Sequence, residues 1–215
     1  MTPAIVPTVD WYFDFISPFS YLQAELLARE PLPAALCYKP VLFAGLLEHW
    51  GQLGPAEIGP KRRFTFRYCL WKASRLGIPM RMPPAHPFNP LRLLRLAIAL
   101  DCAPAHCLSI FRFVFQDGHA PDDEAAWRSF AEGLGVSDVE QRISQPHVKD
   151  ALRRNGEEAI ARGVFGVPTL AVGDELFWGA DATDMCRDYL AGDTLFSDLE
   201  MRRAGSLPDG IQRRR

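Results

Sequence analysis

No two cysteines of this 215-residue chain stand in a C-x-x-C spacing; Cys37, Cys69, Cys102, Cys107 and Cys186 are scattered and odd in number. That pattern excludes a dithiol redox motif, speaks against a disulfide framework or zinc site, and predicts reduced thiols, most of them buried. No run reaches the roughly 18 apolar residues a membrane span needs. The start, MTPAIVPTV, lacks the basic residues and long apolar core of a secretory leader. A cytoplasmic protein with no membrane partner is therefore expected. Charge of one sign is missing as well: the formal net charge of -2 gives no general attraction to nucleic acid. Two short basic runs stand out, 61–67 (KRRFTFR) and 213–215 (RRR), and read as a solvated helix face and a disordered tail. What is present, 48% hydrophobic and 23% charged residues, is ordinary for a globular enzyme of one domain, or one domain with a large insertion.

The segment TVDWYFDF has period two, with Val9, Trp11, Phe13 and Phe15 alternating with Asp10, Tyr12 and Asp14. A helix follows at once, with Ser17 as N-cap, Pro18 at its first position, and Phe19, Leu22 and Leu26 on a buried face. ALCYKPVLF reads as a second strand, Pro40 marking an edge or an irregular end. From 46 to 149 only helices are expected: Pro60 to Leu76, Pro90 to Leu100, Ala105 to Phe115, Asp122 to Leu134, and a short one opened by the capping box SDVE, Ser137 to Glu140. The intervening PMRMPPAHPFNP is too rich in proline for helix or central strand. Past a helix ending near Gly163, PTLAVGDELFW predicts a hairpin turning at Gly173-Asp174, and GADATDMCRDYLAG a last helix with Asp181 as N-cap. The order is that of an α/β, thioredoxin-like fold with a large all-helical insertion. The expected boundaries are 7–45 and 150–192 for a discontinuous thioredoxin-like domain, 46–149 for the insertion, and 193–215 for a C-terminal tail.

Two separated stretches meet in such a fold. One is the strand-to-helix corner SPFS, where Ser17 and Ser20 occupy the positions of a C-x-x-C pair. The other is FGVPTL, where Pro168 precedes a strand; likeness to thioredoxin-type proteins implies that this proline is cis and faces the corner. Each alone has a plainer reading: Ser17 as a cap, Pro168 as a turn residue, Asp181 as a cap. Ser20 reads as structural.

YFDFISPFSYL, FGVPT and WGADA resemble the 2-hydroxychromene-2-carboxylate isomerases, relatives of the kappa-class glutathione transferases within the wider DsbA-type group. The resemblance runs from Val9 to about Leu190. It implies glutathione as cofactor, with Ser17 at its sulfur and Phe19 beside it. Val167, before Pro168, would pair with the tripeptide backbone, and Gly179, Ala180 and Asp181 would hold its γ-glutamyl end. It also implies a small aromatic carboxylate as substrate and a homodimer as the assembly. A helix N-terminus suits this role, because its unpaired N–H groups and positive dipole end favour a thiolate. A free thiol titrates near about 8.5, and each unit of depression is about 1.4 kcal/mol, so one dipole and one or two hydrogen bonds suffice. Serine cannot form a disulfide, so the corner would stabilise an external thiolate without being oxidised by it.

The implied reaction interconverts 2-hydroxychromene-2-carboxylate and trans-o-hydroxybenzylidenepyruvate. The alternatives are a kappa-like transferase or peroxidase that consumes glutathione, and a non-catalytic module that binds thiol peptides. A DsbA-type oxidoreductase is disfavoured by the missing cysteines. The sequence departs from the family at Ala182, where an arginine is common, and around PAEIGP, where the family's lysine and polar pair are absent. His49, Gln52 and Lys61-Arg62-Arg63 are candidate replacements. His86, Phe88 and Asn89 are candidates to line a substrate pocket, and Lys39 to neutralise a substrate carboxylate, against a plain surface role. No metal ligand set is expected.

Overall fold

A computed structural model describes residues 6–208 and Gly210. The first strand, β1 (Thr8–Phe13), leads through the Asp14–Ser17 corner into α1 (Pro18–Arg29) and then β2 (Ala35–Pro40). β2 lies parallel to β1 at one edge of a four-stranded sheet. Near the other end of the chain, α8 (Pro146–Ala161) precedes β3 (Thr169–Val172) and β4 (Glu175–Trp178), which pair antiparallel through Gly173-Asp174. β3 also pairs antiparallel with β1, giving the order β2-β1-β3-β4. α9 (Thr183–Leu190) follows. Between the two flanks run α2 (Phe43–Trp50), α3 (Gly59–Arg75), α4 (Leu91–Ala99), α5 (Pro104–Phe115), α6 (Glu124–Gly133) and α7 (Val139–Ser144). The chain has the expected α/β, thioredoxin-type sheet with many helices added.

The period-two strand is covered on both sides. Trp11, Phe13 and Phe15 join Tyr21 and Phe111 in an aromatic core. Tyr12, on the opposite face, is buried with Leu46, Ala159 and Val164, and its hydroxyl donates to Glu158 at 2.7 Å. Four expectations need correction. The second strand stops at Pro40, and Phe43 instead opens α2, whose glycine-containing FAGLLEHW was missed as a helix. The SDVE capping box does not form. The Asp138 carboxylate accepts from Arg142, and Glu140 from Arg92 and the Trp127 indole, so ion pairs and a distant ring take the groups a cap would use. Asp181 is not the cap of α9. A 3-10 turn, Ala180–Ala182, intervenes, and Thr183 takes over the local bonding, donating to the Ala180 carbonyl while accepting from Gln23. The segment expected as a tail contains a 3-10 turn (Thr194–Ser197) and α10 (Leu199–Gly205), anchored by Phe196 against Phe177 and Tyr189. The 213–215 run lies outside the described residues.

Candidate active site

The corner is fixed from three sides. Asp14 is fully buried, accepting from the Ile16 N–H (3.1 Å) and from the Phe43 N–H at the start of α2 (2.8 Å). The Ser17 N–H donates to the Asp14 carbonyl, and the Ser17 hydroxyl oxygen caps α1 by accepting from the Ser20 N–H at 3.2 Å. The Ile16 carbonyl receives His86 Nε2 at 2.7 Å from the proline-rich strap. Because a carbonyl only accepts, His86 carries its proton on Nε2. Burial lowers the His86 pKa, with the Arg62 charge adding to it against the Ile16 bond, which favours the neutral ring.

Above this corner lies a cavity of about 600 Å³. Among the candidates from sequence, Ser17, Phe19, Val167, His86 and Phe88 line it, as do Gln52 and Lys61. The peptide between Val167 and Pro168 is cis. Pro168 itself, Gly179, Ala180 and Asp181 stand outside the lining. The Gly179 N–H bonds to the Pro168 carbonyl, and the Asp181 carboxylate folds back over Gly179, whose φ of 98° suits glycine. The other candidates are placed elsewhere. The Lys39 ammonium pairs with Glu158 at 3.0 Å. His49 is exposed and edge-on to Trp50, and the Asn89 side-chain oxygen accepts from the Leu91 N–H at the start of α4. Wall residues not foreseen are Phe43 and Leu47 of α2, Phe66 of α3, and the rim pair Phe165 and Trp178, with centroids 5.0 Å apart. α2 was not anticipated as an element: its first residue, Phe43, was assigned to the second strand and no helix was drawn between it and Pro60.

Two donors at the corner are open. The Phe19 N–H has no partner among the described residues, and the Ser17 hydroxyl proton is not used by the cap, in which its oxygen accepts. Opposite them, the backbone N–H and C=O of Val167 take no bond among the described residues. The corner can therefore receive an anion while the Val167 edge receives an extended peptide. No cysteine lines the cavity, and burial pushes the Cys69 thiol up to about 12 and that of Cys186 to about 11. Cys37 is exposed on β2. Among the described residues no cluster suits a metal ion, and no helix is long and apolar enough to cross a membrane.

A family model of the DSBA-like thioredoxin domain matches residues 8–191. The chain belongs to that family. It is 31% identical over 191 residues to a 2-hydroxychromene-2-carboxylate isomerase of Sphingobium xenophagum, covering 85% of this chain and 97% of the relative. It is also 26% identical to glutathione S-transferase kappa 2 of Caenorhabditis elegans, over 85% and 91% of the two chains. A solved 2-hydroxychromene-2-carboxylate isomerase superposes with a TM-score of 0.73 at 28% identity, covering 90% of this DSBA-like chain and 98% of that one.

Proposed function

We propose that the chain is a glutathione-dependent isomerase of the 2-hydroxychromene-2-carboxylate type, acting on a small aromatic carboxylate. The observation that carries the reading is the pair of open donors, the Ser17 O–H and the Phe19 N–H, facing the unbonded Val167 backbone across one cavity. Glutathione fits these groups: a thiolate meets the donors at the α1 end, and the tripeptide meets Val167 as an added strand. When bound, it would supply a nucleophilic thiolate beside the unsaturated carbon of the substrate. The chain's own residues do the rest. Ser17 and Phe19 hold the sulfur's charge, Asp14 and His86 hold the corner, and Phe66, Phe88 and Trp178 give an apolar surface for an aromatic ring.

Glutathione calorimetry on the wild type and on Ser17→Ala tests the cofactor. Loss of one hydrogen bond to a charged group, about 1.5–3 kcal/mol, predicts roughly 10- to 100-fold weaker binding with circular dichroism unchanged. No binding to the wild type would sink the reading. A kappa-like transferase is the second reading, favoured by the similarity to the nematode kappa enzyme. Turnover of the chromene carboxylate without accumulation of a conjugate decides for the isomerase.

A further inference from the structure

Asp14 is the one fully buried carboxylate at the corner, and so far it serves only to hold it. Phe15 and Ile16 form a turn closed by the Ser17 N–H on the Asp14 carbonyl at 3.0 Å, so Asp14 and Ser17 are its two ends. A β-turn brings its end Cα atoms within about 7 Å of each other. Both carboxylate oxygens are engaged there: Oδ1 accepts from the Ile16 N–H, and Oδ2 from the Phe43 N–H at the first residue of α2. Asp14 also lines the cavity that Ser17 and Phe19 line. The corner therefore already holds an acid where a thiolate would sit.

No cation balances it. The other titratable side chains on the lining are Glu48 of α2, Glu57 of the 3-10 turn Pro55–Glu57, Lys61 of α3 and His86 of the strap. None of them sets the ionisation of Asp14. Burial raises its pKa to about 7, against N–H bonds from Phe43, Ile16 and Phe15. Two unit charges about 7–10 Å apart in a protein site shift each other by about one to two pKa units. A second negative charge beside the turn is thus enough to make Asp14 hold a proton through the neutral range.

We propose that Asp14 is the proton acceptor of the corner, taking up the proton that a ligand thiol loses on entering as a thiolate. The inference rests on the glutathione reading above. The S–H bond breaks with its electron pair left on sulfur, and one O–H bond forms on Asp14, so the corner holds one negative charge and not two. Asp14 returns the proton when the thiol leaves. The competing acceptor is His86, whose Nδ1 is buried without a partner while Nε2 is held by the Ile16 carbonyl. Affinity for the thiol should then be nearly flat from about pH 7 to the ordinary thiol pKa of about 8.5, and weaken about tenfold per unit below pH 7.

Glutathione calorimetry in buffers of different ionisation enthalpy counts the protons released per ligand bound, and ultraviolet thiolate absorbance reports the state of the sulfur. The wild type is expected to release about one proton at pH 6, where Asp14 is already protonated, and roughly a fifth of one at pH 7.5, where it starts ionised. Asp14→Asn, with circular dichroism unchanged, is expected to release about one proton at both. The wild-type series decides alone if that variant does not fold. Release of about one proton by the wild type at pH 7.5 overturns the proposal, because Asp14 then takes nothing. So does a bound sulfur without thiolate absorbance, or an Asn variant that keeps the wild-type fall. Release near zero at both pH values with the thiolate present also overturns it, assigning the proton to His86. All of these leave the cofactor reading standing, whereas no binding of glutathione at either pH sinks both.

Discussion

At the scale of single residues, Asp14 holds the corner and carries an electrostatic cost. It bonds to backbone N–H groups on both sides of the site, yet complete burial outweighs those bonds and raises its pKa from 3.8 to about 7. Between those two values the folded protein keeps a proton that the unfolded chain has released. Stability from this group is therefore fully present below about pH 4 and falls as pH rises through about 7. A shift of this size is on the order of 4 kcal/mol. Asp14→Asn removes the ionisation but leaves an amide NH₂ facing one of the N–H groups. The variant should start less stable than the wild type at pH 4, close the gap as pH rises to about 7, and hold a constant difference beyond. Denaturant unfolding of both proteins across that range measures it, and a difference independent of pH would show that Asp14 is ionised throughout. Single residues were also the most legible scale. Ser17 and Pro18 follow from local chemistry, a hydroxyl before a proline at a helix start, whereas the cis Val167-Pro168 peptide was expected only from the thioredoxin-like pattern, because an X-Pro bond is ordinarily trans. His86 was found only as a candidate for lining, since its bond to the Ile16 carbonyl joins residues far apart in sequence.

At the scale of elements, legibility depended on whether neighbours or distant partners set the boundary. α3, α4, α5 and the β3–β4 hairpin begin or end on or beside prolines and glycines, and the structure places them within two residues of their expected limits; α1 starts at the expected Pro18. Asp181 and the Ser137–Glu140 box had the right local pattern, but a 3-10 turn and Thr183 displace the first, and the Arg142 and Arg92 ion pairs with the Trp127 ring take the groups of the second. α1 and α5 show how such bonds act. Glu25, with its side chain only 3% exposed, takes a two-pronged pair from Arg112: Nε to Oε1 at 2.7 Å and the second nitrogen to Oε2 at 3.0 Å. This ties the helix that starts at Ser17 to the helix carrying Phe111, under the aromatic core. Arg112→Met keeps the aliphatic stem but strands a buried carboxylate, predicting a loss of about 2–4 kcal/mol. Glu25→Gln/Arg112→Met should recover part of that loss, because no charge is left buried. Unfolding of the single and double variants checks this. The corner is capped by its own residues, so glutathione affinity should stay within about two-fold, an energy well below one hydrogen bond.

At the scale of the whole molecule, the cavity joins segments from almost the full length of the chain: Ser17 and Phe19, then Phe43 and Leu47, Lys61 and Phe66, His86 and Phe88, and finally Phe165, Val167 and Trp178. None of these segments forms the site alone, so a ligand that fills it binds the folded chain and not the unfolded one. Binding then adds to stability as RT ln(1 + [L]/Kd), about 2.7 kcal/mol at a hundred-fold excess over Kd. For a chain of this size, each kcal/mol moves the melting temperature by about 2–4 °C, so glutathione at that excess should raise it by roughly 5–10 °C. The chemistry of the corner sharpens the expectation. S-Methylglutathione keeps the peptide that would meet Val167 but cannot offer a thiolate to the Ser17 O–H and the Phe19 N–H. At the same concentration it should raise the melting temperature by clearly less, and that gap should shrink in Ser17→Ala. Equal shifts from the two ligands in the wild type would mean that the cavity holds the peptide alone and that the corner contributes nothing to the sulfur.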